Sequence, residues 1–347
     1  MNDTSKTTAE RGPLMIDLAL QGGGSHGAFT WGVLDRMLEV GWIDIEGISG
    51  TSAGAMNAAV LAHGIATGGK EGARAALRDF WRRVSRAATF SPFQRSPMDR
   101  LLGRWTLDYS PAYVTADLMA RIVSPYALGM TDHNPLKTIL DDMLDFEAIA
   151  DGPVKLFITA TNVRTGRGHV FRKHEITADV LLASACLPTL YRAVEICGEA
   201  YWDGGFAGNP TITPLVNECE ARDVVLVQIN PVDRPGLPTD ARDIQSRINE
   251  VSFNATLLKE LRMMAILRNV VDAGSGEGKL WSEMRMHRIS TDLMVELGAS
   301  SKLNAEWAFL DMLFEEGRRA VTAFGEKHRD DIGVNSTLDL EDYIAEC

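Results

Sequence analysis

Two strand-to-helix transitions, each made through a glycine-rich turn, open the sequence and restrict its fold more than any other feature. Leu14-Met15-Ile16-Asp17-Leu18-Ala19-Leu20 is a short, nearly continuous apolar run, the pattern of a largely buried strand. Gly22-Gly23-Gly24 stops it. From Ala28 to Val40 the pattern becomes helical, with Trp31, Leu34 and Leu38 at helical spacing. Ile43 to Ile48 predicts a second strand, Gly50-Thr51-Ser52-Ala53-Gly54 a second turn, and Ala53 to His63 a helix rich in small residues. Strands and helices alternating in this way begin an α/β fold.

The chain of 347 residues suits one large α/β unit or about two domains. Its content, 45% hydrophobic and 24% charged, is that of a globular protein and excludes collagen-like, coiled-coil and disordered classes. No stretch approaches the roughly 18 apolar residues of a membrane span. A net charge of −12 argues against general nucleic-acid binding, because a phosphate backbone selects Lys and Arg. Cys186, Cys197, Cys219 and Cys347 lack zinc-like spacing and are too few to staple the chain, so free thiols in a cytoplasmic setting are expected. Residues 1–13 read as a flexible tail, and the polar stretch Met1 to Gly12 lacks the pattern of a signal peptide.

Residues 70–105 differ in character, with nine Lys or Arg against three acidic residues. Arg74, Arg78 and Arg82 recur every four residues, and Leu77, Phe80, Trp81 and Val84 form another helical face. Three readings are open. The segment is an interfacial element in which Arg74, Arg78, Arg82 and Trp81 meet a membrane, a packed helix with a solvated arginine face, or a lid. Downstream, Val154 to Ala160, Gly168 to Arg172 and Val224 to Ile229 read as strands, and Ala193 to Trp202 as two short strands turning at Gly198. Beyond them, helical patterns at Asp240 to Val271 and Asn304 to Phe324 flank a short strand around Arg285 to Ile289.

Gly22, Gly24 and Gly27 satisfy G-x-G-x-x-G, with Asp44 or Glu46 about 20 residues on, a spacing compatible with dinucleotide binding or with a plain turn. Gly50 to Gly54 is G-x-S-x-G in the strand-to-helix setting of a nucleophile elbow. Such a turn raises the Ser52 hydroxyl above the sheet, and Gly50 and Gly54 leave room for strand and helix to approach. The Gly22–Gly24 loop offers N–H donors to a developing oxyanion, and the Ala53 N–H offers another. A serine nucleophile also needs a base. His287 and His328 lie in no comparable motif and read as surface or structural residues. Asp203, in Asp203-Gly204-Gly205, is the better candidate if an apolar setting, from Trp202 and Phe206, raises its pKa. The competing reading is an acidic turn residue.

Taken in order, Gly-Gly-Gly-x-x-Gly at 22–27, Gly-Thr-Ser-Ala-Gly at 50–54 and Asp-Gly-Gly at 203–205 resemble the patatin-like phospholipase family. Ala183-Ser184-Ala185-Cys186-Leu187-Pro188 is similar to its Ala-Ser-x-x-x-Pro signature, and Asn134-Pro135-Leu136 falls where the family has such a segment. The resemblance covers about residues 14–215, and the tail from about residue 220 resembles the C-terminal extension of a bacterial subgroup. It implies an α/β/α sandwich with a central, mostly parallel sheet: a catalytic domain at 14–215 and a helical extension at 216–347 that completes or covers the sheet. It further implies a Ser52–Asp203 dyad, an oxyanion hole formed by the amides of Gly22, Gly23 and Gly24, acyl esters of phospholipids or neutral glycerolipids as substrates, and no metal. His26 stands where the family usually carries Arg or Lys; headgroup contact, help in proton transfer and simple packing are its three readings.

The expectation is therefore a serine-dependent lipid acyl hydrolase, cytoplasmic, with peripheral contact at the inner membrane face as an option. An acyl-thioester or small-ester hydrolase would use the same dyad. A lipid-binding or regulatory protein would keep the fold with little turnover, and a dinucleotide oxidoreductase would use the first glycine loop alone. Headgroup, chain length and oligomeric state are not legible in the sequence.

Overall fold

The computed structural model describes residues 13–89, 91–127, 134–270 and 277–342. Residues 1–12 of the expected 1–13 tail, Phe90 and Cys347 lie outside the described residues. The first half of the chain forms β1 (Leu14–Leu20), α1 (Gly27–Val40), β2 (Ile43–Gly50), α2 (Ala53–Ala88), α3 (Pro97–Leu101), α4 (Pro111–Ile122), α5 (Pro135–Met143) and α6 (Phe146–Asp151). There follow β3 (Lys155–Asn162), β4 (Gly168–Arg172), α7 (Ala178–Ser184), β5 (Val194–Ile196), β6 (Glu199–Asp203) and α8 (Thr213–Glu218). The C-terminal region adds β7 (Asp223–Val227), α9 (Ala241–Val270), α10 (Glu277–Glu283), β8 (Arg285–Ile289), α11 (Leu293–Glu296) and α12 (Trp307–His328).

The strands form one sheet in the order β5-β6-β3-β2-β1-β7-β8, with β4 paired to β3. Pairs β1/β2, β1/β7, β2/β3 and β7/β8 are parallel, whereas β4, β5 and β6 pair antiparallel. Parallel strands are covered on both faces, which is why β7 (DVVLV) is buried at every position. Alternate residues face opposite sides: Val225 and Val227 join one apolar cluster with α1, α2 and α12, while Val224 and Leu226 join another with α8 and α9. These two clusters make the three layers of an α/β/α sandwich. Asp17, the charged residue in β1, accepts the Gly47 N–H at 2.8 Å where the β1/β2 register shifts; burial raises its pKa to about 7.

The predicted helix at Ala53 to His63 runs on to Ala88, broken at Gly69 (φ 64°, ψ −156°). The two halves fold back on each other, since Trp81 Nε1 donates to Asn57 Oδ1 at 3.0 Å and a Cβ on Gly72 would lie 2.6 Å from the Gly64 carbonyl oxygen. This corrects two residues of the expected membrane contact. Trp81 is 3% exposed because its face of the helix packs inward, with Leu77 and Phe80 also in the core. Arg74 is held by Asp35, Glu39 and Glu71. Arg82 lies over the Trp307 ring at 5.3 Å, and Arg78 is exposed. The segment at 70–88 is therefore a packed helix with an arginine-bearing outer face.

α12 closes the fold by crossing α1 at very short range. A Cβ on Gly32 would overlap the Phe314 carbonyl, and one on Gly317 would overlap the Phe29 carbonyl. Trp31 stacks on Phe314 with ring centroids 4.1 Å apart. His287 is fully buried, so it is not a surface residue; its Nε2 meets Asp223 Oδ1 at 3.0 Å and its Nδ1 meets Thr337 Oγ1 at 3.1 Å. Asp223 begins β7, at the end of the sheet away from Ser52.

Candidate active site

Sheet register brings Ser52 and Asp203 together. β2 lines one edge of β3 as far as Gly50, opposite Ile158, and then leaves it. β4 occupies the other edge. β6 takes the edge that β2 has vacated, with Asp203 opposite Ala160. Ser52, two residues beyond Gly50, and Asp203 thus meet at the same edge of β3. The hairpin that delivers Asp203 turns at Cys197 and Gly198, both at positive φ (52° and 80°), as a two-residue type I′ turn requires.

Ser52 sits at φ 53°, ψ −120°, a conformation that strains a residue with a side chain. The surroundings hold it there. The Ser52 N–H donates to Ser184 Oγ at 2.9 Å, and the Ser184 hydroxyl donates to the Thr159 carbonyl at 2.7 Å. Gly54 lets α2 start against β1, since a Cβ there would overlap the Leu20 carbonyl. Asp203 is 2% exposed, and its Oδ1 accepts the Gly205 N–H at 2.7 Å. Burial raises its pKa to about 7, against the lowering effects of the Gly205 N–H, the nearby Ser52 hydroxyl and the Lys302 charge. Phe206, expected to shield the carboxylate, is itself 44% exposed and leans on Phe253 of α9, ring centroids 5.3 Å apart.

The glycine loop is fixed by amide side chains that sequence reasoning missed. Gln21 Oε1 accepts the N–H groups of Ile229 and Asn230 at 3.0 and 2.9 Å. Asn230 Nδ2 donates to the Gly22 carbonyl at 2.7 Å, and Asn209 Oδ1 accepts the Gly22 N–H at 2.6 Å. That last bond corrects the expected donor set, because the Gly22 N–H already has an acceptor. The N–H groups of Gly23, Gly24 and Ala53 donate to no acceptor among the described residues. No local pattern marks Asn209 or Asn230; their roles depend on long-range pairing.

The C-terminal region covers this loop with a 3-10 turn at Ala299–Leu303. Gly24 (φ 58°) packs so closely that a Cβ would overlap the Lys302 carbonyl. Ser301 Oγ donates to the Gly298 carbonyl at 2.7 Å, so at its 2.7 Å contact with His26 it accepts from Nε2–H. Nδ1 of His26 is then the unprotonated nitrogen, and it has no partner among the described residues. Burial, with Lys302 and Arg234 nearby, holds the imidazole pKa well below its usual range. His26 is 2% exposed, neutral and tied to Ser301, so its headgroup reading is corrected to packing. Lys302, which no motif marked, donates from Nζ to Asn230 Oδ1 at 2.8 Å; burial lowers its pKa to about 8.

Over the same region runs the segment that carries α4. Thr106 Oγ1 and the Leu107 N–H meet Ser300 Oγ at 2.9 and 3.0 Å, and the Tyr126 hydroxyl accepts the Ala193 N–H at 3.0 Å. Between these anchors Val114, Leu118 and Ile122 form an exposed apolar stripe. The dinucleotide reading lacks its acidic partner, since Asp44 pairs with Lys70 and Glu46 with Lys155, away from the loop. Among the described residues, no three His, Cys, Asp or Glu side chains gather as metal ligands. Among the same residues, no helix is long and apolar enough to cross a membrane.

The model of the patatin-like phospholipase family matches residues 18–216. The chain belongs to this family. Membership supports lipid acyl hydrolase activity. No curated protein matches the sequence. Among solved structures, VipD from Legionella pneumophila is 16% identical with a TM-score of 0.35, over 98% of this chain and 81% of VipD. The heterodimeric ExoU–SpcU complex from the type III secretion system of Pseudomonas aeruginosa gives 17% identity and a TM-score of 0.25, over 92% of this chain and 61% of that one. This chain therefore spans less than two thirds of the latter. Ser52, Asp203 and the glycine loop lie inside the patatin-like match; Ser301, Lys302 and α12 lie beyond it.

Proposed function

We propose that the chain is a serine-dependent lipid acyl hydrolase using a Ser52–Asp203 dyad. The observation that carries this reading is Ser52, held in a strained backbone conformation, beside a buried Asp203 whose pKa burial raises to about 7. A carboxylate of that pKa is a competent base near neutrality. Ser52 Oγ attacks the ester carbonyl carbon and Asp203 takes its proton. The oxyanion meets the N–H groups of Gly23, Gly24 and Ala53. As the ester C–O bond breaks, the leaving alcohol takes the proton from Asp203. Water then attacks the acyl-serine with Asp203 as base, releasing the fatty acid and returning the proton to Ser52.

The exposed stripe on α4, anchored beside the site at both ends, favours a lipid substrate over a small soluble ester or thioester. The interfacial role, one of three readings of residues 70–105, is carried on this reading by α4 in place of residues 70–88. Fluorophosphonate labelling with peptide mass spectrometry tests the chemistry. A stoichiometric adduct on Ser52 that disappears in Asp203→Asn is expected. Labelling that persists undiminished in Asp203→Asn would remove Asp203 as the base. Absence of an adduct on the folded wild type would favour a lipid-binding protein instead.

A further inference from the structure

Lys302 is a cation beside the glycine loop with no carboxylate bonded to it. Its Nζ donates to Asn230 Oδ1, and Oδ1 lies 3.8 Å from where a Cβ on Gly23 would be. The ammonium therefore stands beside the glycine loop. Among the described residues Asn230 is its one hydrogen-bond acceptor, which leaves two of its three N–H donors open. Two carboxylates act on its charge without bonding it: Asp203, and Glu250, which is already committed to Arg234 at 2.8 Å and Arg247 at 3.4 Å. Arg234 also donates to the carbonyls of Val295 and Leu297, fixing the chain that leads into the 3-10 turn at Ala299–Leu303. Lys302 as a residue is half-buried. An ammonium held in place and incompletely bonded is a receptor for an oxyanion.

We propose that Lys302 is a specificity-determining residue, binding a phosphate group carried by the substrate close to its scissile ester. The proposal rests on the hydrolase reading above and deepens it. It assigns the C-terminal region a direct part in substrate choice, since Lys302 lies outside the family match. Asn230 links the two functions, because the same side chain bonds the Lys302 ammonium and the Gly22 carbonyl.

Two experiments separate the proposal from the reading beneath it. The first needs no turnover. Calorimetric binding of monomeric dihexanoyl phosphatidylglycerol and dihexanoylglycerol is compared in Ser52→Ala, with and without Lys302→Met. The phosphate-bearing lipid is expected to bind more tightly, and Lys302→Met to reduce that preference by about tenfold or more, the scale of a hydrogen bond to a charged group. Glycerol 3-phosphate should compete in Ser52→Ala and lose that ability with Lys302→Met; competition by inorganic phosphate alone, without a lipid preference, would make the site a free-phosphate site and overturn the proposal. The second compares kcat/KM on the two lipids in the Ser52 enzyme. Lys302→Met should lower the phospholipid-to-neutral ratio mainly through KM, and Lys302→Arg should restore much of it. An equal loss on both lipids would make Lys302 a positioning residue of the glycine loop. If neither lipid is hydrolysed by the wild type while the binding preference holds, the hydrolase reading fails and the phosphate site stands.

Discussion

Asp203 has a pKa of about 7, set by burial and opposed by the Gly205 N–H, Ser52 and Lys302. In the proposed chemistry it accepts a proton, so it must be ionised to work. The rate of fluorophosphonate labelling at Ser52 should therefore fall as pH drops through about 7 and level off above it. A rate flat from pH 5 to 8 would place the activating group elsewhere. Ser52 and Asp203 were legible in the sequence because each sits inside a short glycine motif whose local geometry is its signature. Asn209, Asn230 and Lys302 were not. Asn209 reaches Gly22 across 187 positions and Lys302 reaches Asn230 across 72, and no nearby residue records such a contact. His26 was legible as a departure, but its neutral state follows from the turn that buries it.

Among elements, α2 takes the packed-helix reading, one of the three left open for it, and α4, to which no role was assigned from sequence, carries the exposed apolar stripe. The periodic arginines and aromatics of residues 70–88 suggest an amphipathic surface helix. The break at Gly69 instead folds that helix back on its own first half, and its apolar face becomes core. Periodicity identified the helix; it could not say that the chain itself supplies the partner. α4 attracts less notice in sequence, yet Leu118 is 55% and Ile122 is 73% exposed. Replacing both (Leu118→Asp with Ile122→Asp) should slow hydrolysis of vesicle lipid by about tenfold or more, through lost apolar burial of the order of 25 cal/mol per Å². Turnover of a monomeric ester should change far less. Equal loss on both substrates would show α4 to be a structural cover.

Across the molecule, the sheet and its helices depend on contributions from both ends of the chain. The α/β class was readable from the first two strand–turn–helix passages, and the short strand around Arg285 to Ile289 is present as β8. The strand order was not readable, because β7 and β8 pair beside β1 over intervals that local pattern does not encode. α12 then locks onto α1 through the Gly32–Phe314 and Gly317–Phe29 approaches. Gly32→Val should destabilise the whole fold by about 1–3 kcal/mol, as overpacking does. Urea unfolding checks this, and an unchanged midpoint would mean that the helices part without loss.

The way β6 takes over the edge that β2 leaves has a consequence for biosynthesis. Asp203 is made 151 residues after Ser52, and Lys302 another 99 after that. At roughly 5–20 residues per second, the proposed nucleophile waits on the order of ten seconds or more for its proposed base. Throughout that interval the nascent chain carries the serine without the carboxylate that would arm it. On the proposed chemistry the nascent chain therefore gains its hydrolase activity only after residue 203 has been made.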